Sequence, residues 1–162
     1  MTSQIPELLK PILEKRLPFV QDILASQSDQ QIIQQWRRTL AGSDYVGDSL
    51  QSKPELLSKL MDSGLCEQNY AKGRMHELLG KQLESVEDDK DLSRVLRQFR
   101  QQQMLRIIYR DMNRLAGMSQ ITFELSEMAD ACIELAMLWQ HDACAKKWGQ
   151  PIGKQSGEQQ GL

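Results

Sequence analysis

The sequence predicts an all-α protein, a helical bundle that ends in two long antiparallel helices. Leu, Gln, Glu, Lys, Arg, Met and Ala dominate its 162 residues, and all of them favour helix. Apolar residues recur at spacings of three and four, and no long stretch alternates with period two. Ser, Asp, Pro and Gly stand where such helices should start and stop.

Pro6 starts a short helix over 6–16, and Pro18 opens another whose apolar face is Phe19, Ile23 and Leu24. Asp29 caps a third, with Ile32, Ile33, Trp36 and Leu40 at helical spacing and an end near Gly42. Ser43 caps 45–51, and Pro54 begins the next helix. From Glu67 to Ser85 a helical pattern runs through Tyr70, Met75, Leu78, Leu79 and Leu83, with Gly73 and Gly80 as its weak points. Glu87, Asp88, Asp89 and Asp91 then cap a long helix that reaches Ala116 and stops at Gly117.

Ser119 caps a last helix of about thirty residues, roughly 45 Å long at 1.5 Å per residue. Its acidic residues Glu124, Glu127 and Asp130 come early and Lys146 and Lys147 late, as the macrodipole favours. A stripe of Leu125, Met128, Cys132, Leu135, Ala136, Trp139 and Ala143 predicts that Leu135 and Trp139 face inward on the preceding helix. Gly149 and Pro151 end it. Residues 1–148 therefore read as a helical region, and 149–162, with almost nothing to bury, as a flexible linker.

The segment from Leu96 to Met112, LRQFRQQQMLRIIYRDM, is unusual. Leu92, Val95, Leu96 and Phe99 share one helix face, whereas Met104, Leu105, Ile108, Met112 and Leu115 lie nearly opposite. A stripe that changes sides demands cover on both sides or a break. Arg100, Arg106, Arg110 and Arg114 gather on the face that the second half leaves free. These four are the candidate substrate or interface contacts. They form either a solvated arginine face or a cationic surface for a partner or phosphate. Asp111 and, on the following helix, Glu127, Asp130 and Glu134 are the carboxylates expected to serve locally as partners.

Composition excludes several function classes. Twenty basic against 22 acidic residues leave a net charge of -2, so no global field attracts nucleic acid or a membrane. The longest apolar run, Leu135 to Trp139, is far short of a membrane span. The amino terminus, broken by Pro6 and Pro11, is neither signal peptide nor anchor. Three cysteines without a secretory feature point to reduced thiols in a cytoplasm. His141 and Cys144 sit at i and i+3, but no second pair stands at zinc spacing, so no metal site is expected. Cys66 and His76 have no sequence neighbour that would activate a thiolate or need a base. No catalytic residue and no bound cofactor is expected in this chain.

Three segments together carry a family resemblance. LRQFR, the following Met104-Leu105-Arg106-Ile107 and the pair Arg110-Asp111 resemble the helix before the first catalytic motif in the glutamine synthetase adenylyltransferase and deadenylylase family. GSDYVGDSLQSKPELLSKL, with Tyr45 in place of the family's Phe, and LWQHDACAKKWGQP are similar to two further family segments. The resemblance spans about Trp36 to Pro151. It implies the helical amino-terminal part of the deadenylylating half of a two-headed enzyme, preceding a nucleotidyltransferase-type sheet. The family's Gly-rich turn and Ser-Asp-x-Asp motif are not found here, so the fragment alone is expected to be inactive. The parent would use Mg²⁺ and ATP or ADP, and its partners would be glutamine synthetase, the PII signal protein and its own nucleotidyltransferase domain. The alternative is a non-catalytic helical module that binds glutamine synthetase or PII.

Overall fold

The computed structural model describes residues 5–160. Among them are eight α-helices and no strand, only one isolated antiparallel bridge between Ile152 and Gln159. The helices are α1 (Lys10–Arg16), α2 (Gln21–Ser26), α3 (Gln30–Gly42), α4 (Asp44–Ser52), α5 (Glu55–Asp62), α6 (Arg74–Leu83), α7 (Asp89–Met112) and α8 (Met118–Trp148). The chain divides into two compact units, Met1–Tyr70 with Gln101–Leu125 and Ala71–Arg100 with Ser126–Leu162.

In the first unit the local signals act as their chemistry dictates. The Asp29 carboxylate accepts from the amides of Gln31 and Ile32, and the Ser43 hydroxyl accepts from Val46, satisfying amides that have no partner inside the helix. Successive helices pack α1 on α3, α3 on α4 and α4 on α5. Their inward faces supply the core: Leu13, Val20, Leu24, Trp36, Leu40, Val46, Leu50, Leu57 and Leu60, closed by Leu105 and Tyr109 from α7. Phe19, expected on the inner face, is 40% exposed, and Val20 at 1% takes that place. The cause is a 3-10 turn over Leu17–Phe19, which changes the rotation per residue before α2 begins.

Two polar devices lock this packing. The Arg16 guanidinium donates to the carbonyls of Leu40 (2.8 Å) and Ser43 (3.2 Å) and pairs with Asp44 at 2.5 Å. It crosses α4 at Gly47, where an added Cβ would lie 2.4 Å from Arg16 Nε. On α3, the Trp36 ring stacks on Tyr109 at 4.4 Å, and the Tyr109 hydroxyl donates to Gln35 at 2.5 Å. Burial pushes the Tyr109 phenol well above its ordinary range. Asn113 ties the same seam, accepting from Arg38 and donating to Thr39 and to the Tyr109 carbonyl.

In the second unit Met75, Leu79, Leu92, Val95, Phe99, Met128 and Ala131 are buried. Gln140 on α8 donates to Asp89 at the start of α7 (2.9 Å). Burial raises the Cys132 thiol pKa, with the charge of Arg100, further along α7, opposing the rise. Contacts that advance along α7 while retreating along α8 make the two segments antiparallel. From 132 to 148 no residue is buried, and Leu135 and Trp139 are half-buried. They do not face a closed core as the stripe predicted. The closed contact on α8 comes earlier, at Met128 and Ala131.

Three element boundaries differ from expectation. The helix expected from Glu67 begins at Arg74; Leu65–Glu67 is a 3-10 turn, and the chain stays non-helical through Gly73 at φ 81°. α7 ends at Met112 rather than Ala116, because Arg114 adopts a left-handed φ of 54° and Leu115 donates back to the Arg110 carbonyl at 2.8 Å. α8 starts at Met118, where Ile121 already donates to Gly117, so Ser119 lies inside its first turn. Its end is as expected, at Gly149 with φ 85°. Beyond it, residues 151–160 fold back on themselves, Gly153 donating to Glu158 and Gln160 to Pro151. Gly161 and Leu162, the end of the expected linker, lie outside the described residues.

Candidate functional site

α7 runs without a break through the point where its apolar stripe changes sides, so the stripe is met by cover on both faces. In its second half Gln103, Leu105, Arg106, Ile107, Tyr109 and Arg110 are all buried. Two arginines among them create the most heavily charged interior of the chain. Arg106 and Arg110 have side chains 0% exposed. The four candidate arginines therefore do not form one surface: Arg100 and Arg114 are exposed, and Arg106 and Arg110 point inward.

Burying a guanidinium requires that its donors be met. Arg106 Nε donates to the Leu65 carbonyl at 2.9 Å, Nη2 to the Gln68 carbonyl, and Nη1 to Glu124 Oε2 at 2.5 Å. Its plane lies 3.5 Å over the centroid of the Tyr70 ring, a cation–π contact strengthened by desolvation. Arg110 Nη1 donates to the Cys66 carbonyl at 2.8 Å and Nη2 to Asn69 Oδ1. Its Nε is 3.9 Å from Glu124 and makes no hydrogen bond. Glu124 Oε1 accepts from the Tyr70 amide (3.1 Å) and from Gln120 (2.8 Å), and Gln120 also donates to the Tyr70 carbonyl.

The target of all these groups is one strap outside the α-helices, residues 65–70. Its carbonyls at Leu65, Cys66, Gln68 and Tyr70 and its amide at Tyr70 are all held by side chains of α7 and α8. These side-chain bonds hold the strap in place, and α6 begins only after it, beyond Gly73.

One carboxylate serves two buried cations, and the ionisation of the cluster follows. Burial by itself would raise the Glu124 carboxyl, but hydrogen bonds from Arg106, Gln120 and the Tyr70 amide outweigh it and hold the pKa below the ordinary value. Burial lowers the Arg110 pKa, the neighbouring Arg106 lowers it further, and Glu124 opposes both. The Cys66 thiol is pushed up to about 12 by burial, against the pull of both arginines. It stays a neutral thiol, unsuited to nucleophilic chemistry.

A pH dependence follows from Glu124. Its folded-state pKa lies below the unfolded value of 4.5, so the unfolded chain binds the extra proton between the two values and stability rises with pH there. The stabilisation is complete above pH 4.5 and is lost as pH falls through the folded pKa. Denaturant melts between pH 3 and 6 should show this slope, and Glu124→Gln should flatten it. An unchanged slope in that variant would mean that other carboxylates carry the acid sensitivity.

None of the carboxylates expected near the arginines pairs with them. Asp111 and Asp130 are exposed, Glu127 accepts from the Gly73 amide at 2.6 Å, and Glu134 pairs with His76 at 2.7 Å. Glu124 is the partner, and its signal was present in the sequence: Ile121, Glu124, Met128 and Ala131, all buried, recur at spacings of three and four. A carboxylate within an apolar stripe calls for a buried cation.

This centre anchors backbone and leaves its carboxylate no free oxygen, so its role in the chain is structural. Residues 33–162 match the family model for glutamate-ammonia ligase adenylyltransferase. Over 128 residues the chain is 39% identical to the bifunctional glutamine synthetase adenylyltransferase/adenylyl-removing enzyme of Pseudomonas aeruginosa, covering 79% of this chain and 13% of that protein. It is 30% identical to the protein of the same description from Pseudomonas putida over 99% of this chain and 17% of that protein. The corresponding Nitrosococcus oceani protein is 29% identical over 98% and 17%. The chain belongs to the glutamate-ammonia ligase adenylyltransferase family, and it spans between an eighth and a fifth of the length of these relatives.

Proposed function

We propose that this chain is the helical framework of the deadenylylating half of an enzyme that adenylylates and deadenylylates glutamine synthetase. In this reading it supplies architecture and no chemistry of its own. The observation that carries it is the buried centre: Arg106, Arg110 and Glu124, the residues best equipped to bind phosphate or metal, are spent on the strap at 65–70. The residues present do not fit a Mg²⁺ ion. Glu124 engages both oxygens with Arg106, Gln120 and Tyr70, and no group of three or more possible ligands comes together among the described residues. In this reading nucleotide and Mg²⁺ act elsewhere in the parent enzyme. Glutamine synthetase is its substrate, the PII signal protein its regulatory partner, and the cytoplasm its location.

The test is ADP release from adenylylated glutamine synthetase and inorganic phosphate. The pure 162-residue chain should give none, and a full-length relative should be active. Arg106→Met in the full-length protein should lower the rate only in proportion to the folded fraction. Turnover by the chain alone, or a lost rate with the fold intact, would overturn the framework reading.

A further inference from the structure

α7 carries a second group of charges outside the buried centre, in the half of the helix that belongs to the second unit. Lys90, Arg94 and Arg97 recur at spacings of four and three, so they leave one side of the helix within about 60°, and Arg100 flanks them three residues further on. All four are exposed, whereas Leu92, Val95 and Phe99 on the opposite side are buried. The row is a solvent face and takes no part in the packing.

Its charge is poorly compensated. Arg94 pairs with Asp91 at 2.8 Å, and Lys90, Arg97 and Arg100 form no ion pair among the described residues. Like charges at helix spacings of three and four repel one another, and Lys90, in the first turn, also faces the positive end of the macrodipole. The row therefore works against the stability of the free helix, and an anionic neighbour relieves it.

Three features define that neighbour. The row is short, about 10.5 Å from Lys90 to Arg97 at 1.5 Å per residue, and Glu87, Asp88 and Asp89 stand at its start, where they repel a long phosphate backbone. Its steps of about 6 and 4.5 Å are those of residues four and three apart on an α-helix; an extended chain sets same-side residues about 6.8 Å apart and falls out of step within three. None of the large exposed apolar side chains lies on this stretch of α7, so charge does the selecting.

We propose that this face of α7 docks an acidic α-helical segment of a partner protein, its carboxylates three and four residues apart. Exposed ion pairs are individually weak, so the contact is loose, sensitive to salt and guided by electrostatic steering. Such a surface adds a partner to the framework role and does not depend on it.

Fluorescence anisotropy of the whole chain tests it, the probe being a labelled alanine-based helical peptide with Glu at spacings of three and four. Affinity should fall at least tenfold between about 20 mM and about 300 mM salt, as the screening length shrinks from about 20 Å to about 6 Å. Lys90→Gln with Arg97→Gln, which keeps the Arg94–Asp91 pair, should lower it at least tenfold at low salt and melt at or above the wild-type temperature, because repulsion has been removed. Lys59→Gln, an exposed cation on α5, should change neither, and the same peptide broken by a central Pro should bind more weakly. Absence of binding at low salt, binding indifferent to the double variant or to the Pro, a double variant that melts well below the wild type, or a single-stranded DNA of equal charge bound as tightly as the peptide would each overturn the proposal.

Discussion

Glu124→Ala should destabilise the chain by about 3–5 kcal/mol, the usual loss when one partner of a buried ion pair is removed. The magnitude comes from what is left behind. Arg106 loses its only carboxylate, Arg110 keeps an unbonded Nε with no anion nearby, and both side chains remain wholly inside. The Tyr70 amide loses its acceptor at the same time, an unmade bond that adds to the loss. Glu124→Gln keeps the shape and an acceptor for that amide and should cost less. Urea melts followed by circular dichroism measure both. A loss under about 1 kcal/mol for Glu124→Ala would mean that water reaches the guanidinium groups.

Trp36→Ala should cost a similar amount, about 3–5 kcal/mol, for an apolar reason. Trp36 is 1% exposed, lies at the centre of the first core and stacks on Tyr109, so its removal leaves a cavity that helices fixed by Arg16 and Asn113 cannot close. Trp139→Ala is the control. That ring is half-buried, and its removal should cost about 1–2 kcal/mol. Equal losses at the two positions would place Trp139 in a closed core after all.

The difference between these tryptophans shows where the sequence was legible. Helix identity and most starts were plain, because Asp29, Ser43 and Pro54 are local signals whose chemistry does not depend on distant residues. Periodicity placed Trp36 correctly, since α3 is short and covered along its length. On α8 the same reasoning named Leu135 and Trp139, yet a helix of 31 residues outruns the elements available to cover it, and periodicity cannot say where cover ends. The misplaced boundaries at the turn between α7 and α8 have another origin. Nothing in the sequence marks Arg114 for a left-handed turn, a conformation ordinarily given to Gly or Asn, and the Gly at 117 was the natural choice.

The strap at 65–70 is the clearest case of tertiary structure overriding local preference. Its residues carry a helical pattern, but their carbonyls are claimed by arginines some forty positions away. The arginines were visible as candidates. Their partner was not, because Glu124 also suits the amino-terminal half of α8 through the helix dipole, and only its place within an apolar stripe sets it apart from Glu127, Asp130 and Glu134.

Hydrogen exchange at the Tyr70 amide tests the central claim most directly, that the buried arginine–glutamate centre exists to hold the strap. That amide donates to a buried carboxylate rather than to a helix carbonyl. In the wild type it should exchange as slowly as the core amides of α3, through global unfolding, and in Glu124→Ala it should exchange at least a hundredfold faster relative to them, about 3 kcal/mol of lost local protection. A Tyr70 amide that exchanges in the wild type at the rate of an open loop would contradict the account.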